Sequence, residues 1–211
     1  MQFQLTKTTW YVVGIIIAVV ILFFAYSFLK KENVKNYPSS GTDIVAFGDS
    51  LIVGVGASES SSSFISLLSR RIGKPIINLG VSGNTTSDAL SRIDELDKYN
   101  PKVVVVLLGG NDHLQRVPIA ETFSNLTKII KNIQDRGAIV LLLGVRGNLL
   151  GDKFKPEFEQ LSDEYETAYV EDVLSGLFGN STYMSDAVHP NDAGYQKIAD
   201  RVYPILSGLL K

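Results

Sequence analysis

Val103-Val104-Val105-Val106-Leu107-Leu108 is an unbroken apolar run, with no alternation between inward and outward positions. A run of this kind suits a strand covered on both faces, which is how parallel sheets are built. Four more short stretches read as strands: Asp43–Phe47, Pro75–Leu79, Ala138–Leu143 and Ala168–Glu171. Helix candidates lie between them near Ser61–Ile72, Ser87–Tyr99, Ile119–Arg136 and Lys155–Tyr165, with a last from Asn191 to about Leu206. Strands alternating with helices imply βαβ units and a doubly wound sheet. Pro101 just ahead of a strand and Gly137 after a helix, where a left-handed cap is wanted, agree with that order.

The first thirty residues are a separate object. No charged side chain occurs from Thr8 to Leu29, and Trp10–Leu29 is nearly all Val, Ile, Leu, Phe, Ala and Tyr. A helix of that length spans about 30 Å, the thickness of a bilayer's hydrocarbon core. Trp10 and Tyr11 at one end and Lys30-Lys31 at the other suit interfacial anchors. The rival reading is a cleavable signal peptide, with Lys7 as its charged start and Ala25-Tyr26-Ser27 as a weak cleavage site. The long apolar core and the bulky Tyr26 and Phe28 favour a retained anchor. Lys30, Lys31 and Lys35 outnumber Lys7, which by the positive-inside rule argues for a cytoplasmic domain. A short tail before one span is also the layout of a signal anchor that exports the domain behind it, and an extracytoplasmic domain is the expectation taken. Residues 1–29 are thus expected as tail and transmembrane helix, with the membrane as partner. Residues 30–42, polar and carrying Pro38, Ser39, Ser40 and Gly41, are expected as a linker, and 43–211 as the domain.

Composition narrows the chemistry. The 211 residues suffice for one medium-sized domain with a short appendage. A net charge of −2, with no basic run longer than Lys30-Lys31, gives no reason to expect a nucleic-acid partner. Cysteine is absent, so disulfides, thiolate nucleophiles and cysteine-based zinc sites are excluded together. The histidines number two, His113 and His189, which excludes a site built from several imidazoles.

Open α/β sheets bind ligands at the carboxyl ends of their strands. The residues expected there are Gly48-Asp49-Ser50, Gly80-Val81-Ser82-Gly83, Gly109-Gly110-Asn111-Asp112 and Gly144-Val145-Arg146. A serine hydroxyl needs a base to become a nucleophile, and that base is usually a histidine held in the right tautomer by a carboxylate. Ser50 lies in the turn after the first strand. Asp186 and His189 share the loop Asp186-Ala187-Val188-His189-Pro190 ahead of the final helix. That spacing lets the carboxylate reach Nδ1 while Nε2 faces Ser50. Gly80 can offer a backbone N–H and Asn111 an amide NH₂ to an oxyanion.

The stretches Gly48-Asp49-Ser50-Leu51, Asn78-Leu79-Gly80, Gly109-Gly110-Asn111-Asp112 and Asp186-Ala187-Val188-His189-Pro190 resemble the four signature blocks of the SGNH, or GDSL, hydrolases. They occur in family order across nearly all of the part after residue 42. The wording is most similar to the bacterial acyl-CoA thioesterase/lysophospholipase/arylesterase branch, with Asn84 departing from the Asp often found there. The resemblance implies Ser50 as nucleophile, His189 as base and Asp186 as its orienting partner. It implies an oxyanion hole from the N–H groups of Ser50 and Gly80 and the side chain of Asn111. The expected fold is a three-layer α/β/α, flavodoxin-like domain on a five-stranded parallel sheet, plus the N-terminal transmembrane helix. The expected activity is hydrolysis of acyl esters or thioesters through an acyl-serine intermediate, with no metal and no cofactor. A carbohydrate O-acetylesterase acting on envelope polysaccharide and a non-catalytic ligand-binding module are the alternatives. Asp112 is read as structural and His113 as lining the cleft. Gly54-Val55-Gly56 lacks the rest of a dinucleotide fingerprint. Ser82 is set aside because Asn84 replaces the last glycine of a Gly-x-Ser-x-Gly elbow.

Overall fold

The computed structural model describes residues 33–146 and 152–211. Strands β1 (Asp43–Gly48), β2 (Ile76–Gly80), β3 (Pro101–Leu107), β4 (Ile139–Leu143) and β5 (Ala168–Val170) form one parallel sheet in the order β2-β1-β3-β4-β5. Each lies within about two residues of its expected place. Side chains from Val103 to Leu107 are wholly buried, as a strand between two helical layers requires.

The helices are α1 (Ser50–Val53), α2 (Phe64–Ile72), α3 (Thr86–Ser91), α4 (Gly110–Leu114), α5 (Ile119–Asp135), α6 (Phe154–Glu164) and α7 (Asp192–Leu209). One layer pairs α2 with α7, and the other joins α3 to α5 and α5 to α6. The chain steps from β1 outward to β2, then crosses back over β1 to β3. The winding direction therefore reverses between β1 and β3, and a crevice opens at the carboxyl ends of that pair. Gly48 ends β1 because the strands approach too closely for a side chain: a Cβ there would run into the carbonyl oxygen of Leu107.

Two expected helices are broken. The stretch Ser61–Ile72 is a 3-10 turn, Ser60–Ser62, followed by α2, whose first turn Ser63 caps by accepting from the Ser66 N–H. The stretch Ser87–Tyr99 is α3 followed by a 3-10 turn, Ile93–Lys98, with the break at Arg92. Helical periodicity runs through Arg92, but its side chain turns inward to the strand ends and its backbone leaves the helix at φ −118°.

The expected fold class needs one correction. Among the described residues no helix is long and apolar enough to cross a membrane. The described fold is the α/β/α domain alone; the stretch expected as an anchor, residues 1–29, lies outside the described residues. Most of the expected linker belongs to the domain, whose compact unit begins at Val34. Asn36 Nδ2 donates to the carbonyls of Gln134 (2.8 Å) and Ala138 (3.0 Å), and Ser39 Oγ donates to that of Gly137 (2.8 Å). The Lys35 N–H reaches Glu166 O at 2.9 Å. Polarity suggested a tether, but Asn36 and Ser39 satisfy carbonyls left open where α5 ends, and the Lys35 N–H satisfies one just after α6.

Removing them tests the point. A chain starting at residue 43 should be less stable than one starting at residue 33 by about 2–4 kcal/mol, near 1 kcal/mol for each lost hydrogen bond. Thermal melts of the two chains check this, and equal midpoints would refute it.

Candidate active site

Ser50 is the first residue of α1, directly after β1, and its side chain is buried at the floor of the crevice. Asp49 caps the turn, its Oδ1 accepting from the Leu51 N–H at 3.0 Å. Gly54 closes it in the left-handed region, φ 91°. From the other end of the chain, the loop before α7 folds on itself. Asp186 Oδ1 accepts from the N–H groups of Val188 and His189, each at 2.8 Å. That turn leaves Asp186 Oδ2 at 2.7 Å from His189 Nδ1, and His189 Nε2 at 3.1 Å from Ser50 Oγ. The structure thus brings Ser50, His189 and Asp186 into one chain of contacts.

Two further bonds hold the loops together. The buried Tyr195 donates its hydroxyl to Val55 O at 2.6 Å. Ser58 donates its N–H and hydroxyl to the carboxylate of Asp192, at 2.8 and 2.5 Å. The Gly54–Gly56 stretch is therefore the seam between the Ser50 turn and the His189 loop, and a Cβ on Gly56 would strike Ser185 and Pro190.

Asn111 follows Gly109, whose φ of 107° turns the chain from β3 into α4. Its Nδ2 donates one hydrogen to Asn84 O at 2.9 Å, which leaves the second for a ligand. The neighbouring Asp112 is wholly buried and accepts from the Thr86 N–H (2.8 Å), Thr86 Oγ1 (2.5 Å) and Thr122 Oγ1 (3.3 Å). It anchors α4 to α3 and α5, the structural part expected of it. Gly80 does not fit the part expected of it. Its N–H donates to Asn78 Oδ1 at 2.9 Å, and Asn78 in turn donates to Ile52 O at 2.7 Å. Of the glycines around the end of β2, it is Gly83, at φ 83°, that lines the cleft, and among the described residues no group accepts from its N–H. The sequence signal for it is the Ser82-Gly83 pair beyond the end of β2, where the loop turns back towards Ser50. His113 lines the cleft with its ring edge-on to Phe154, centroids 5.7 Å apart.

The model of the GDSL-like Lipase/Acylhydrolase family matches residues 46–197. The chain belongs to that family. Among curated proteins, the GDSL-like chain is 29% identical over 179 residues to "Esterase TesA" of Pseudomonas aeruginosa, covering 79% of this chain and 89% of the relative. It is 27% identical over 165 residues to "Thioesterase 1/protease 1/lysophospholipase L1" of Escherichia coli K12, covering 74% of this chain and 79% of that one. Among solved structures, AlinE4, described as an SGNH-hydrolase family esterase, is 33% identical with a TM-score of 0.61, covering 82% of this chain and all of the other.

Charge in this GDSL-like site is distributed unevenly. The hydrogen bond from His189, with those from the N–H groups of Val188 and His189, holds the Asp186 carboxyl down at about 2. An ionised carboxylate only accepts, so the proton of the His189–Asp186 contact sits on Nδ1, and Nε2 is left to accept from Ser50. Asp49 behaves oppositely. Burial pushes it up to about 6, against the Leu51 N–H and His189, which lower it. The cleft beside Ser50 encloses about 600 Å³, with Val55, Leu114, Val145, Leu174, Phe178 and Val188 among its walls.

Asp49 makes stability depend on pH. Its folded value lies above the ordinary 3.8, so its contribution is fully present below about pH 4 and is lost as pH rises through 6. The cost of ionising it in place is about 3 kcal/mol. Asn at this position keeps an acceptor for the Leu51 N–H and cannot ionise. Asp49→Asn should therefore gain about 2 kcal/mol on wild type between pH 4 and pH 7, read from urea denaturation at both values. A difference that does not change with pH would refute the assignment.

Proposed function

We propose that this protein hydrolyses acyl esters and thioesters, with Ser50 as nucleophile, His189 as general base and acid, and Asp186 as the group that orients and stabilises the imidazole. The observation that carries this is the run of contacts Ser50 Oγ–His189 Nε2–Asp186, at 3.1 and 2.7 Å. Ser50 Oγ attacks the acyl carbonyl as its proton passes to Nε2, and Asp186 stabilises the imidazolium that forms. The oxyanion is held by the N–H groups of Ser50 and Gly83 and by the free Nδ2 hydrogen of Asn111. Collapse of the tetrahedral intermediate expels the alcohol or thiol, which takes the proton from Nε2. Water then attacks the acyl-serine with His189 again as base, releasing the acid and restoring Ser50.

The cleft supports an acyl chain longer than acetyl. A volume of about 600 Å³ is that of a pocket for a whole organic ligand, and its aliphatic and aromatic walls reward burial of methylenes by about 0.8 kcal/mol each. An acetylated sugar would leave most of that apolar surface uncovered. The names of the relatives, among them an esterase and a thioesterase/lysophospholipase, support the same range of substrates.

Ser50→Ala and His189→Ala should each lower kcat on a p-nitrophenyl ester by about 10³-fold or more, while His113→Ala keeps most of the activity. Equal rates for wild type and Ser50→Ala would end this reading. On a series from acetyl to dodecanoyl esters, kcat/KM should rise with chain length before it falls, and a maximum at acetyl would favour the sugar-acetate alternative.

A further inference from the structure

The guanidinium of Arg92 lies beneath the crevice without touching it, and its side chain is only 14% exposed. Its Nη2 donates to Gly48 O and its Nη1 to Leu79 O, each at 3.0 Å. Its Nε donates to Asn84 Oδ1 at 2.7 Å. Nη1 also meets Glu95 at 3.3 Å, and the guanidinium carbon stacks 4.4 Å over the ring of Phe47. Burial lowers the pKa of Arg92, and Glu95 opposes that shift; the group remains a cation.

Each of the three acceptors adjoins part of the proposed oxyanion hole. Gly48 is the last residue of β1, two before Ser50. Leu79 and Asn84 bracket the loop that carries Gly83, so one planar group clamps both ends of it. Asn84 then passes the constraint on, because its carbonyl accepts from Asn111 Nδ2 and fixes which way that amide faces. The break between α3 and the following 3-10 turn falls at Arg92 and lets the side chain reach inward.

We propose that Arg92 is a positioning residue for the oxyanion hole, fixing the Gly83 N–H and the Asn111 amide relative to Ser50 by tying together the carboxyl ends of β1 and β2 and the loop to Asn84. The inference rests on the esterase reading of Ser50. It requires a fork of donors in one plane, which a guanidinium has and an ammonium lacks. Donors in such a hole stabilise charge that appears only in the transition state. Displacing them lowers kcat and leaves ground-state binding largely as it was.

The test uses the full chain with Arg92→Lys, Arg92→Met and Asn84→Ala. Active sites are counted by long incubation with a phosphonate ester that adds to Ser50, so kcat is expressed per competent site. The expected result is a loss of about 10- to 100-fold in kcat per site for both Arg92 variants, with KM within about threefold of wild type. Asn84→Ala should lose less, and millimolar guanidinium should restore part of the rate of Arg92→Met. A purely structural Arg92 would lower the count of competent sites or the melting temperature and leave kcat per site unchanged. Folded Arg92 variants with kcat per site within twofold of wild type overturn the proposal. If neither Arg92 variant folds, a wild-type kcat in Asn84→Ala overturns it. Ser50→Ala is run alongside: wild-type hydrolysis by that variant would sink the esterase reading itself, whatever the Arg92 variants do.

Discussion

A parallel sheet leaves the carboxyl ends of all its strands on one edge, and where the winding reverses no crossover helix covers the gap. In this protein the reversal falls between β1 and β3. Ser50 follows β1 and Asn111 follows β3 within a few residues, so both reach the same crevice because of strand order alone. The Gly83 loop follows β2 beside them, and the chain after β5 brings His189 across from the far side. Any other order of strands would scatter these groups along the edge.

Burial divides the site into a rigid floor and a more open wall. Asp49, Ser50 and Asp112 are buried, and Asp112 is satisfied by three donors from α3 and α5. On the wall, Asp186 is half-exposed, and its hydrogen bonds from His189 and the Val188 and His189 N–H groups hold its pKa below the ordinary carboxylate value. The two aspartates illustrate opposite physics: hydrogen bonds dominate at Asp186, whereas loss of solvent dominates at Asp49.

Arg92 links fold and chemistry in a way that the shape of the crevice does not reveal. At the carboxyl ends of β1 and β2 one guanidinium donates to Gly48 O, which also accepts from the Val81 N–H, and to Leu79 O, tying the two strand ends together. A helix broken at that residue is a local departure from regularity with a clear return, since the freed side chain braces the loops around Ser50.

Much of the architecture was legible in the residues because it rests on local chemistry. Unbroken β-branched and aliphatic runs with amphipathic stretches between them determine which segments become strands and which become helices. Asp186 and His189 could be paired from the sequence because they share one short loop. What the sequence could not settle depended on groups distant along the chain. The polar residues from Lys35 to Ser39 looked like a tether until the carbonyls at the ends of α5 and α6 were there to receive them. Helical periodicity ran through Arg92, and only the strand ends explain its inward turn. Gly80 and Gly83 are three residues apart, and only the structure shows that Asn78 takes the Gly80 N–H while Gly83 lines the cleft. The order of strands, and with it the meeting of Ser50 and His189 across 139 residues, belongs to the tertiary structure, because helix layers decide which strands become neighbours and no local pattern encodes that choice.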